Sequence, residues 1–353
     1  MMKHNKKYQE LGINLLITCI ALILAFIVGA ILILILGENP LKAYEALFKG
    51  AVGTPIALTI SLSKSVPLIL TGLAVGLAFK CKVFNIGAEG QLLFGAFLAT
   101  LVGIYVKVPA PLHILLVLIA GFVGGLVWSF VPAYLRYKRN VHIVISTIMF
   151  NYIGQYLVQY MVCGPFKEPG PNSATAQIQQ TAMLPRILPK PYALNLGFIV
   201  AIIMVVVIYI LLNKTTIGYE MRSVGLNADA AKTNGINVKK NMFLALLLSG
   251  GLAGLAGSIE VSGSIYRMVD GFSPGYGFNG IPVALLAHNN PFAVIFSACL
   301  LGFMRSGAIM MQASMGISQE IIDVIQGTVI IFICTEYLIR YYVGKIKGGK
   351  IKC

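Results

Sequence analysis

The sequence predicts an all-α polytopic membrane protein of about ten transmembrane helices, and three observations carry that prediction. Of its 353 residues, 58% are hydrophobic and only 11% are charged, with a mean hydropathy of +0.84. A soluble domain averages about 25% charged residues. Apolar runs long enough to cross a bilayer recur along the whole chain. The net charge of +15 falls in short basic clusters between those runs, as the positive-inside rule produces. Nucleic-acid binding is not indicated, because the basic residues form neither a basic helix nor an aromatic–basic alternation.

Lys3, Lys6 and Lys7 precede the first apolar run, which places the N-terminus in the cytoplasm. Leu11 to Gly37 is too long for the apolar region of a cleavable signal, so 13–37 reads as a retained first span. Asn39 to Thr54, with Lys42, Glu45 and Lys49, reads as an outside loop. The second run, 56–79, contains Lys64 and Pro67; Lys64 reads as a side chain snorkelling to the outer interface, with cavity lining as the alternative. Lys80 and Lys82 then mark the inside. Residues 92–106 run outward, and 111–134 return to Arg136, Lys138 and Arg139, with Gly121 and Gly125 spaced for close helix approach. The fifth span, about 141–163, carries His142, Ser146, Thr147, Asn151 and Gln155. Asn151 is a buried-amide candidate, for a helix–helix hydrogen bond or for a solute contact.

Residues 164–194 differ in kind. Six prolines between Pro165 and Pro191 break any helix, so this is the longest outside segment, an inert loop or a surface for an external protein. The sixth span, 195–213, leads to Lys214–Lys240, a solvated helix–turn stretch of mixed charge. Span 242–262 is rich in glycine (Gly250, Gly251, Gly254, Gly257) and carries Glu260, which suits tight packing at the core of a bundle. Arg267–Asn279 is too polar and glycine-rich for a regular span and leads into the short apolar piece Gly280–Ala287. Spans at 291–312 and 321–341 follow, with Glu320 and Asp323 in the first turn of the last helix, where the macrodipole favours acids. Lysines from Lys345 to Lys352 close the chain on the cytoplasmic side. The polar breaks at Asn85–Gln91 and Asp270–Asn279 fall in two halves of opposite topology, the pattern of inverted repeats around a midplane solute path.

The chain is organised around Val83-Phe84-Asn85-Ile86-Gly87-Ala88-Glu89-Gly90-Gln91. Charge in hydrocarbon costs at least about 2.5–3.5 kcal/mol, so a carboxylate between two spans points to a cavity or a solute path. A tight turn capped by Asn85 is the plainer alternative. The run Phe84–Gln91 resembles the signature of membrane permeases of ABC importers for nucleosides and simple sugars, and the likeness extends from about Asn39 to Tyr341, including GYGFNGIPVALLA at Gly275–Ala287. The resemblance implies a type II importer-like permease in the cell membrane. It further implies a separate ATPase subunit, a second permease subunit as a paralogous partner, and an extracytoplasmic substrate-binding lipoprotein. In such permeases a cytoplasmic insertion docks on the ATPase; the matching positions are Gly225, Asn227, Ala230, Ala231, Gly235 and Ile236, beside the charged Glu220 and Arg222. Cys81-Lys82 departs from a common small residue and glycine, and Ile143 stands where an acid is usual.

The residues themselves exclude several chemistries. No GxxxxGK[ST] is present, so if the chain serves a primary transporter, as the resemblance implies, ATP is used on another chain and no cofactor is expected on this one. None of the six cysteines lies in a CxxC pair, and the four histidines form no HExxH, so neither a disulfide framework nor a metal site is indicated. No nucleophile–base set suggests an enzyme. The expected substrate path holds Phe84, Asn85, Glu89, Gln91, Asn151, Glu260, Phe278 and Asn279, which offer amides and aromatic faces to a neutral ring solute. Two alternatives stand beside it: a proton-coupled secondary transporter using Glu89 or Glu260, and a permease for branched-chain amino acids.

Overall fold

A computed structural model describes residues 23–334, apart from 25, 36 and 318. The start of the expected first span, the end of the last, and the terminal lysines lie outside the described residues. Helices carry the architecture: α1 (Phe26–Ile35), α2 (Pro40–Val52), α3 (Pro55–Phe79), α4 (Ala88–Tyr105), α5 (Ala110–Arg139), α6 (Ile143–Cys163), α7 (Gly197–Lys214), α8 (Thr216–Leu226), α9 (Ala228–Thr233), α10 (Val238–Glu260), α11 (Tyr276–Leu286), α12 (Pro291–Met315) and α13 (Gln319–Cys334). Among the described residues, strand-like pairing is confined to three isolated bridges. Six helices among the described residues are long and apolar enough to cross a membrane: α3, α4, α5, α7, α10 with its continuation to Ile265, and α12.

The chain forms two compact units, one comprising the described residues up to Ala57 and from Met304 onward, the other Leu58–Phe303. In the first, Asn39–Thr54 is not the expected loop but the amphipathic helix α2. Pro40 sits at the first helical position, where its missing N–H costs nothing, and the Asn39 side chain accepts from Leu41 N at 2.9 Å. Ala43, Leu47 and Ala51 recur every fourth residue and are buried, while Glu45 and Lys49 pair on the exposed face at 2.6 Å. Ser306 Oγ donates to Gly50 O at 3.2 Å, and the Gly307 position abuts the Leu47 carbonyl, so α2 packs closely on α12.

The larger unit is centred on α4, α5 and α10. A Cβ at Gly254 would meet the Gly121 carbonyl oxygen and, at 2.7 Å, Gly125 N; one at Gly125 would meet the Gly250 carbonyl oxygen. The glycines therefore allow backbone-to-backbone contact, the close approach expected from their spacing. On the opposite side of α5, Leu112, Leu115, Ile119, Val123 and Val127 are exposed at helical spacing, a stripe suited to lipid. Helix α10 continues as a π-helical turn over Val261–Ile265 and stops at Tyr266, whose φ is 63°. Residues 164–194 remain largely irregular around a single 3₁₀ turn, Gln180–Ala182, and bridge to the next irregular stretch through Ala174–Val269.

Candidate functional site

The Val83–Gln91 motif joins α3 to α4 and is a hydrogen-bonded knot. Asn85 is fully buried; its Nδ2 donates to Gln91 Oε1 and to Ser249 Oγ, both at 2.8 Å, and its Oδ1 accepts from Gly87 N at 3.0 Å and Gln91 Nε2 at 3.1 Å. Ser249 Oγ in turn donates to Ala74 O at 2.6 Å, tying α10 to α3. Asn151 of α6 serves the other side: its Oδ1 accepts from Gly90 N at 2.8 Å and its Nδ2 donates to Ile86 O at 2.7 Å. Backbone that leaves helical geometry thus finds its partners in side chains. Asn151 lies about 12 Å along α6 from Ile143, and Ser249 about 16 Å along α10 from Val238, at 1.5 Å per residue. The break is level with the middles of two helices, not with their ends. Asn85 is not the cap of α4: that position is Gly87, which has no side chain to offer.

The second break, from Tyr266 to Gly275, ends where α11 begins, and the two breaks meet at their helix starts. Glu89, in the first turn of α4, accepts from Gly277 N, in the first turn of α11, at 2.6 Å. Tyr276 N donates to Ser273 Oγ at 3.2 Å. These contacts satisfy two amides left without a helical partner and place a carboxylate at two positive helix ends. Only glycine fits at 277, since a Cβ would collide with the Glu89 N and Cα atoms. Tyr276 and Gly277 make α11 start earlier than the irregular stretch expected to reach Asn279; Gly275, at φ 84°, supplies the stop before it.

Beside this junction lies a cavity of about 230 Å³, lined among others by Glu89, Gln155, Gln159, Asp270, Ser273 and Phe278. Gln159 Nε2 donates to Asp270 Oδ2 at 3.1 Å. Glu89 is buried at 7% exposure, whereas Phe278 is 46% exposed. Phe84 does not line this space; its ring lies tilted against Phe79, centroids 4.6 Å apart, and is exposed. Asn279 follows in the same turn as Phe278, half-buried, its N–H on Gly275 O at 2.9 Å.

Glu260 is 2% exposed and corrects the reading of Lys64. The Lys64 ammonium does not snorkel but lies 3.2 Å from Glu260 Oε1, which also accepts from Tyr276 OH at 3.3 Å; Ser264 Oγ donates to Oε2 at 3.3 Å. A buried carboxylate needs such partners. The two acids therefore grip neighbouring residues of α11, Glu260 through the Tyr276 hydroxyl and Glu89 through the Gly277 amide.

The Lys214–Lys240 stretch folds as α8 and α9. Asn227 caps α9, accepting from Asp229 N at 3.0 Å and Ala230 N at 3.1 Å. Its end is a Schellman stop: Gly235 has φ 80°, Gly235 N donates to Lys232 O and Ile236 N to Ala231 O, both at 3.0 Å. Ala231 is buried and Ala230 exposed, so the Ala230 face of α9 is open at the surface. Glu220 accepts from Asn241 Nδ2 at 2.8 Å. At the end of α8, a Cβ on Gly225 would strike the Lys80 carbonyl oxygen, and Lys82 Nζ donates to Leu226 O at 3.4 Å. Helix α8 thus rests on the strand of chain that enters the first break. Burial first, and the Arg222 charge second, hold the Lys80 ammonium below its ordinary pKa.

The structure therefore gathers Asn85, Gln91 and Asn151 in one knot and Glu89 and Phe278 at one cavity, with Glu260 on the far side of the α11 start. Sequence reasoning missed Ser249, Tyr276 and Gln159, preferred snorkelling for Lys64, and named Asp270 only as the start of the second break. The spacing of Asn151, Gln155 and Gln159, every fourth residue on α6, is the signal that points to the cavity wall.

Comparisons with known proteins find transporter permeases among its relatives. The family model described as "Branched-chain amino acid transport system / permease component" matches residues 57–334. The chain is 38% identical over 339 residues to the guanosine ABC transporter permease protein NupP of Bacillus subtilis, covering 95% of this chain and 97% of that one. It is 35% identical over 347 residues to the nucleoside ABC transporter permease protein NupB of Lactococcus lactis, at 96% and 95% coverage. It is also 34% identical over 331 residues to the glucose ABC transporter permease protein TsgB13 of Haloferax volcanii, at 91% and 87%. Bacillus subtilis holds a second, more distant match, the guanosine ABC transporter permease protein NupQ, 27% identical over 71% of this chain and 81% of its own length. With its several apolar helices the chain is a multi-pass membrane protein, and it belongs to the branched-chain amino acid transport system permease family.

Proposed function

We propose that this chain is the membrane-spanning permease subunit of an ATP-driven importer for nucleosides or related simple sugars. The near-full-length match to permeases named for guanosine, nucleosides and glucose carries the reading. Those solutes are neutral rings with several hydroxyls, and the meeting of two helix starts beside a polar cavity offers them a path. Glu89, Phe278 and Asn279 stand on that path; Asn85, Gln91 and Asn151 hold its frame and Glu260 anchors α11. In the cell membrane the chain has about ten spans in two inverted halves, with both termini in the cytoplasm. Residues 164–194 face outward and receive a substrate-binding lipoprotein. ATP is hydrolysed on a separate subunit that receives α8 and α9, and this chain itself holds no cofactor. The NupP and NupQ names within one organism support a second, paralogous permease as partner.

The test is uptake by the assembled importer. Excess guanosine or another nucleoside should suppress uptake of labelled guanosine, while leucine and isoleucine should not. The family description keeps the branched-chain amino acid reading as the second one, and suppression by leucine and isoleucine alone selects it. Uptake that collapses when the proton gradient is dissipated at constant ATP selects a secondary transporter instead. Coupling is tested by Ala230→Arg on the exposed face of α9, which should separate ATP hydrolysis from transport while the protein still inserts. Unchanged uptake and unchanged co-purification of the ATPase would remove the docking role.

A further inference from the structure

We infer that the cavity beside the α4–α11 junction is a diol-reading subsite, in which Asp270 and Gln159, above the buried Glu89, select ring solutes with adjacent hydroxyls and turn away anionic ones. The inference rests on the function proposed above and adds to it a discriminating step within the permease itself. Gln159 Nε2 holds Asp270 Oδ2 at 3.1 Å, and both side chains are exposed at the cavity rim. A carboxylate accepts from two neighbouring hydroxyls in short, charge-assisted bonds, and the carboxamide of Gln155 or Gln159 donates to a ring oxygen or base edge. Phe278 presents a half-exposed aromatic face on the same wall. The volume of about 230 Å³ lies below the roughly 300–1,000 Å³ of pockets for drug-sized ligands, which suits one sugar-sized ring at a time. Two carboxylates, Glu89 and Asp270, on one small cavity repel a phosphate, so a phosphorylated nucleoside is disfavoured where the free nucleoside enters.

The geometry explains why these groups are rim residues and not framework. Asn85 and Asn151 use their amides on buried backbone and side chains, whereas Gln155, Gln159 and Asp270 project from a helix face and an irregular stretch into open space. Asp270 is held in place through its backbone: Asp270 N donates to Ser173 O at 3.0 Å, fixing the stretch against residues 164–194. The subsite therefore sits directly beneath the segment proposed to receive the substrate-binding lipoprotein.

The experiment uses the complete importer in membranes of a host without other nucleoside uptake. Guanosine and 2′,3′-dideoxyguanosine are supplied at concentrations that saturate the receptor, so that its own preference does not enter the ratio. Asp270→Asn should lower the maximal rate for guanosine about 10-fold and that for the dideoxy compound by less than about 2-fold, because only the diol uses the charge and second acceptor oxygen that Asn lacks. Gln159→Ala should shift the ratio in the same direction by a smaller factor, and Asp270→Glu should restore most of it. Membrane abundance and receptor-stimulated ATP hydrolysis are measured alongside. If Asp270→Asn does not assemble, the ratio is read from Gln159→Ala and Gln155→Ala. Parallel loss for both nucleosides, or no change in either, overturns the subsite while leaving the importer reading intact. A parent importer that moves neither nucleosides nor glucose overturns both.

Discussion

The two breaks in this permease do opposite things with their polar groups. The first, Val83–Gly87, turns them inward: Asn85, Gln91, Ser249 and Asn151 satisfy one another and the local backbone, with nothing facing the cavity before Glu89. The second, Tyr266–Gly275, turns them outward: Asp270 and Ser273 line open space, and its backbone is held by pairing with residues 173–178. A closed network rigidifies because every removed partner leaves a buried group unsatisfied. An open one leaves donors and acceptors for a solute. A closed frame and an open cavity wall are thus built from the same kind of interruption, joined at Glu89 and Gly277.

Breaking the joint should have the largest effect. Gly277→Ala puts a methyl into the Glu89 backbone, and uptake by the importer should fall more than about 10-fold, since a displaced helix start misplaces every group behind it. Normal transport by this variant would show that the two breaks are independent. Glu89→Gln, which retains an acceptor for the Gly277 amide, should instead reduce uptake only in part and introduce no new pH dependence.

Separating α3 from α10 comes next. Lys64→Met strands the Glu260 carboxylate and should destabilise the purified protein by roughly 3 kcal/mol, near the lower end for a broken buried pair because Lys64 is partly open to solvent. Adding Glu260→Gln should recover most of that loss, and a thermal-unfolding comparison of the single and double variants measures it. No recovery would mean that Lys64 acts on something other than Glu260.

Opening the closed network should be milder. Asn85→Ala leaves the Gly87 amide and the Gln91 and Ser249 side chains short of a partner, a loss of about 1–3 kcal/mol. Maximal uptake should fall more than apparent affinity changes if, as proposed above, tight recognition rests with an external receptor. A change confined to affinity would move Asn85 from the frame to the path.

The smallest test compares accessibility. Burial pushes the Cys81 thiol, at the entry to the first break, up to about 12. At pH 8 a thiol of that pKa is about one part in ten thousand thiolate, against roughly a quarter for an ordinary cysteine. Maleimide should therefore label Cys81 far more slowly than a cysteine placed at the rim of the second break by Ser273→Cys. Reactivity at Cys81 should rise with pH above 8, since the protonated form is the one stabilised by burial. Equal labelling would show that the first break opens as readily as the second.

The apolar runs, the basic clusters and the glycine spacing determined the spans within the described residues, because length and hydropathy are local properties. The boundaries of α3, α4, α5, α6, α7 and α12 fall near the expected runs for that reason. Asn227 and Gly235, singled out only by the family likeness, cap the two ends of α9 by rules that act within a few residues. Asn39–Thr54 reads in sequence as a loop carrying Lys42, Glu45 and Lys49; what makes α2 a helix is the burial of Ala43, Leu47 and Ala51, and the partner surface for those residues comes from far along the chain. The candidate site depended on tertiary structure more strongly still. Lys64 and Glu260 are 196 residues apart and Glu89 and Gly277 are 188 apart, so neither pairing leaves a periodic mark. Sequence alone determined that two polar interruptions exist and which residues they contain. Only the fold decided that one closes on itself while the other borders a cavity, because a hydrogen bond requires two groups to meet, and chain folding alone sets which distant groups do.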